Sequence, residues 1–175
     1  MIRAMKKHVA LVLLGVSLAA VMSTHVRWVQ ADNGHLLELS GQPVDALGAW
    51  ADWRNRLTRQ CSTVEALHDN AQATQMVSAV IRNISPPDSA TARLQGLWRS
   101  GEWWLAETEF DQLLPAVVLL KQTASGLQAI DGATWSGTTH PWRAAPLIRD
   151  YITRQAPQAP AALLACFEAR SAAFR

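Results

Sequence analysis

The chain has 175 residues, with 16 basic and 14 acidic side chains, eight Trp and two Cys. Arg3, Lys6, Lys7 and Arg27 all precede residue 32, so the formal charge of +2 hides a remainder with 12 basic against 14 acidic groups, net −2. That balance argues against a nucleic-acid partner, which would call for a clustered basic face. Two Cys alone do not make a zinc site, and these two lie too far apart for a Cys-X-X-Cys redox pair.

The first element is an export segment. Arg3, Lys6 and Lys7 precede an apolar run of about 14 residues, Val9 to Met22, the pattern that the secretion machinery reads. The run is shorter than the roughly 20 residues of a spanning helix. Val29-Gln30-Ala31 offers small residues for cleavage, which would leave Asp32 as the new N-terminus; a weaker option follows Ser23. An uncleaved single-pass anchor over about residues 9–28 is the alternative. Both put the bulk of the chain outside the cytoplasm, periplasmic or extracellular if released and on the inner membrane if tethered. Residues 32–175 are then expected to form one exported domain, large enough for a real core.

Residues 32–42 read as a polar lead-in, with His35 to Leu39 briefly extended. Pro43 suits a first helical turn, and Val44, Leu47, Trp50 and Leu57 recur at helical spacing, which predicts a helix over 43–60 buried on that side. Ser62-Thr63-Val64-Glu65 reads as a capping box that opens a second helix, with Val64, Leu67, Ala71, Met76, Val80 and Ile84 sharing a face. Ser85-Pro86-Pro87 ends it. Asp88 to Arg93 forms a short helical turn. Leu94–Arg99 and Glu102–Phe110 read as a hairpin around Ser100-Gly101. Ala116 to Thr123 has the length and β-branching of a buried strand, and Leu127–Ile130 and Ala133–Ser136 read as two short strands parted by Asp131-Gly132. After Pro141 the helical period returns through Leu147, Ile148, Tyr151 and Ile152, and a last helix carries Leu163, Leu164, Cys166 and Phe167. The expected fold class is α+β: two N-terminal helices, a small antiparallel β-meander, then C-terminal helices. In an oxidising compartment Cys61 and Cys166 are expected to pair, clamping the last helix to the start of the second.

Tryptophan supplies the sharpest functional expectation. Trp103 and Trp104 are adjacent on a strand, so their rings point to opposite faces. If one face lies on the helices, the other ring meets a second layer, a partner or solvent; the twist of a small sheet also lets both rings be core, since large aromatics mostly bury. An exposed platform there, extended by Trp135, would take a protein or, as the second candidate, a glycan chain. The loop Ser136 to Arg143 adds His140, Trp142 and Arg143; its Gly, Pro, Ser and Thr are the turn and cap residues of any strand-to-helix corner, and its polar and cationic groups also precede a helix start suited to anions.

Catalysis finds little pattern. Glu102, Glu107, Glu109 and Asp111 cluster in sequence, with Glu107 and Glu109 on one side of the strand as a solvated edge. Ser125, His140 and Asp131 supply triad residue types without a Gly-X-Ser-X-Gly elbow. The pairs His35/Glu38 and Glu65/His68 offer no metal-ligand spacing, and no cofactor is implied. The leading expectation is an envelope accessory protein, inhibitor-, immunity- or assembly-factor-like, binding an envelope protein partner. An envelope hydrolase acting on cell-wall glycan or peptide, and a membrane-tethered subunit of an envelope complex, are the alternatives.

Overall fold

The computed structural model describes residues 14–16, 25–84 and 87–174. Most of the expected export segment, and the Ser85-Pro86 helix stop, lie outside the described residues. Leu14, Gly15 and Val16 are helical. Among the described residues no helix is long and apolar enough to cross a membrane. The chain divides into two compact units, Met1–Leu47 and Gly48–Arg175.

The first unit holds a three-stranded antiparallel meander: β1 (Val26–Ala31), β2 (Gly34–Leu39) and β3 (Gln42–Val44). This corrects the expectation of a polar lead-in followed by a helix from residue 43. Val26, Arg27 and Trp28, the last residues of the alternative anchor span, lie in β1. Trp28 faces Leu37 across the pair, and Arg27 meets Glu38 at 2.9 Å. Ser40 and Gly41 both take positive φ, 50° and 84°, the geometry of a two-residue hairpin loop whose twist matches its strands.

The second unit is built on a five-stranded antiparallel sheet in the order β4-β5-β6-β7-β8: Glu65–Ala66, Arg93–Ser100, Trp103–Glu109, Ala116–Thr123 and Gly126–Ser136. Its helices are α1 (Ala46–Thr58, which begins in the first unit), α2 (Ala71–Arg82), α3 (Ala144–Gln155) and α4 (Ala161–Cys166). The mixed α+β class and the strand meander thus stand, with a different element order before residue 71.

Both faces of the sheet are covered. On one, Trp98, Trp103, Leu105, Val117 and Leu119 pack with Ile148 and Ile152 of α3, Leu163 of α4, and Phe167 and Phe174. On the other, Leu97, Trp104, Ala106, Val118 and Leu120 pack with Ala73, Val77 and Ile81 of α2. A strand buried on both sides loses its polar alternation, which is why β7 reads as an unbroken apolar run.

Three differences from the expected elements have physical causes. Glu65 and Ala66 extend and pair with Arg99 and Trp98, and Leu67 N–H bonds the Leu97 carbonyl at 2.8 Å, so the sheet edge takes the donors that a capping box would have spent locally. The helix instead starts after Asn70, whose Oδ1 accepts the Ala73 N–H at 3.0 Å. The two short strands expected around Asp131-Gly132 are one strand, with a register shift opposite Val118–Leu120 that absorbs the glycine. Gly96 sits at the other bulge because an added Cβ would come within 2.3 Å of the Trp98 ring.

Cys61 and Cys166 form a disulfide, with 5.8 Å between their Cα atoms. It ties the residues after α1 to the end of α4.

Candidate functional site

The rings of Trp103 and Trp104 do point to opposite faces, but both are buried, at 6% and 5% exposure. Neither forms an exposed platform, because α2 supplies the second layer. Their outer rims are closed by cross-strand cations: Lys121, opposite Trp103, lies 4.8 Å from its ring centre, and Arg99, opposite Trp104, lies 5.0 Å away. Trp135 is half-buried, edge-on to Tyr151 at 5.3 Å.

The loop after β8 is a structural corner. Thr139 is buried, and its N–H and Oγ1 both donate to the Phe174 carbonyl, at 2.7 and 2.9 Å. The Trp142 N–H donates to Thr139 O at 2.6 Å, and the His140–Pro141 peptide is cis. His140 and Arg143 are exposed on this corner and Trp142 is half-buried. The triad types do not converge: Ser125 precedes β8 and His140 follows it, so an 11-residue strand separates them. Among the described residues no three His, Cys, Asp or Glu side chains gather as a metal site.

The carboxylate cluster is not a solvated edge. β6 is the middle strand, and Glu107 is fully buried. Its Oε1 accepts the N–H of Arg170 at 2.9 Å and of Ser171 at 2.5 Å, and its Oε2 accepts the Arg170 N–H at 3.0 Å. The Ser171 hydroxyl bonds Glu109. The pair therefore anchors the tail, with no cleft between its members. Burial pushes the Glu107 pKa above its ordinary value, opposed by the Ser171 and Arg170 N–H groups and the Arg170 charge, with Glu109 adding to the rise. The folded state thus binds this proton more tightly than the unfolded chain. Stability from Glu107 is full below the ordinary carboxylate range and is lost as pH rises through the raised value. Glu107→Gln is accordingly expected to gain stability relative to wild type on going from about pH 4 to about pH 7. Glu107→Ala strands the buried Ser171 N–H, at a cost of about 1–3 kcal/mol, and also removes the acceptor of the Arg170 N–H, at either pH. Melting curves of the three proteins across that range check both outcomes.

A cavity of about 270 Å³ lies beside the disulfide, lined by Arg59, Cys61, Trp98, Cys166, Glu168 and Arg170 among others. Its one carboxylate, Glu168, is paired with Arg59 at 2.6 Å, so nothing there faces it as a second acid.

The surface that stands out is α1. Leu47, Trp50, Trp53 and Leu57, at helical spacing, are 54%, 60%, 52% and 66% exposed. The Trp50 and Trp53 rings lie 4.8 Å apart, tilted by 33°. The periodicity predicts this side to be buried; the structure turns it outward. The opposite side, Gly48, Asp52, Asn55 and Arg59, also repeats at three and four residues and is the one fastened down. Asp52, at 6% exposure, accepts from Arg149 at 2.5 Å and Arg56 at 3.0 Å. Asn55 Nδ2 donates to the Ala165 carbonyl at 2.8 Å. A polar stripe as regular as the apolar one was the signal in the sequence, and only tertiary partners, Arg149 and the Ala165 carbonyl among them, decide between the two.

Comparison with family models, with characterised proteins and with solved structures finds no match to this chain.

Proposed function

We propose that this chain is an exported accessory protein of the cell envelope that acts by binding, and that the outward face of α1 is its docking surface. The observation that carries the reading is the row of four large apolar side chains exposed on a helix whose polar side is bonded to the domain. Scattered surface Leu needs no explanation, but a contiguous aromatic and aliphatic row marks a contact. The Cys61–Cys166 bridge is compatible with export, and the basic and apolar start of the chain supplies the route. With Trp103 and Trp104 in the core, the aromatic contact passes to Trp50 and Trp53.

The first meander bears on where the export segment ends. Cleavage after Ala31 would remove β1 and leave β2 and β3 as a two-stranded remnant, marginal in water. That favours cleavage after Ser23 or retention as a tether.

A photoreactive side chain at Trp53, activated in living cells, tests the reading. An adduct is expected there and not at Gln75, which is exposed on α2. No adduct above the Gln75 level would overturn the docking role.

A further inference from the structure

We propose that the component covering the α1 row is the lipid surface of the bilayer. This rests on the docking role of α1 given above and names its occupant.

The side chains are those of a helix lying in a membrane interface. Leu47 and Leu57 stand at the two ends of the row and the paired Trp50 and Trp53 rings between them. Indole rings settle at the level of the lipid headgroups, and Leu reaches the acyl boundary beneath. Arg54 is exposed, and at about 100° per residue it falls on the outward side between the directions of Leu47 and Trp50. A guanidinium in an apolar row costs a protein core but suits lipid phosphates, which it meets by bidentate hydrogen bonds. The bonds from Asp52 and Asn55 hold the helix from behind, so the row can lie along a surface without giving up any of them.

Of the two fates left open above, retention of the export segment is the one that supplies the proximity, through the chain ahead of the helix. The apolar run ends at Met22, and 24 residues separate it from Leu47. Trp28, exposed in β1, follows the run by six residues, where an aromatic residue flanks a membrane segment.

The area argues against a second copy. The row exposes on the order of 500 Å² of side chain, so two copies meeting through it bury roughly 1,000 Å², the bottom of the range for a specific interface.

The test reads the mass of what a benzophenone side chain at Leu57 captures in whole cells expressing the full chain. A phospholipid adduct that phospholipase A2 shortens by one acyl chain is expected at Leu57 and not at Gln75. Arg54→Glu is expected to lower its yield several-fold with an unchanged melting temperature. An adduct of protein mass, a second copy included, overturns the lipid assignment and leaves docking at α1 standing. No adduct above the Gln75 level overturns both.

Discussion

Asp52→Ala is expected to cost about 3–5 kcal/mol of folding stability, a large share of what a domain of this size possesses. The carboxylate is the partner of Arg149, whose side chain is only 12% exposed. Burial lowers the Arg149 pKa, and the hydrogen bond and charge of Asp52 pull it back up. Without Asp52 the guanidinium remains buried and charged. The exposed Arg56 is also released, but exposed pairs contribute little. The loss also frees α1 from α3, so denaturant unfolding of the variant should begin earlier. Asp52→Leu combined with Arg149→Met removes both charges and is expected to recover most of the loss. A double variant as unstable as Asp52→Ala would locate the cost in packing and not in the stranded charge.

Removing the Cys61–Cys166 bridge is the second large effect. The two residues are 105 apart in sequence, and closing a loop of that size restricts the unfolded chain by about 4.7 kcal/mol in the chain-entropy model. Cys61→Ala with Cys166→Ala is expected to lose about 2–5 kcal/mol, and dithiothreitol should reproduce the loss in the wild type. Thiol trapping in cells makes the companion test, with oxidised protein expected throughout. Fully alkylated Cys in protein taken directly from cells would place the chain in a reducing compartment and remove the basis for export.

The strands between residues 93 and 123 were legible because their patterns do not depend on distant partners. β7 is an apolar run of the right length, and the hairpin before it turns within one residue of the expected Ser100-Gly101. The disulfide was legible from the even cysteine count together with the expectation of export. What failed were decisions settled by tertiary neighbours. Ser62 to Glu65 satisfies a local capping rule, yet β5 offers those backbone groups a sheet edge. Trp103 and Trp104 gave the correct split of directions, but α2 as the second layer could not be read from β6. For α1 two stripes of equal regularity compete, and a hydrophobic reading picks the wrong one. Glu107 misled because a carboxylate in a strand usually points to water, and its two backbone donors lie 63 and 64 residues away. The first meander was missed because a cleavage point after Ala31 takes away the partner of β2.

Phe174 is fully buried, its carbonyl is held by Thr139, and Arg170 and Ser171 supply the donors for Glu107 in the middle strand. The interior therefore lacks a wall until residue 174 has been delivered. A chain threaded through a translocation pore in order, N-terminus first, would stay unable to seal itself during passage. It would shut only once residue 174 had arrived on the far side, which is what a pore that admits only unfolded polypeptide requires.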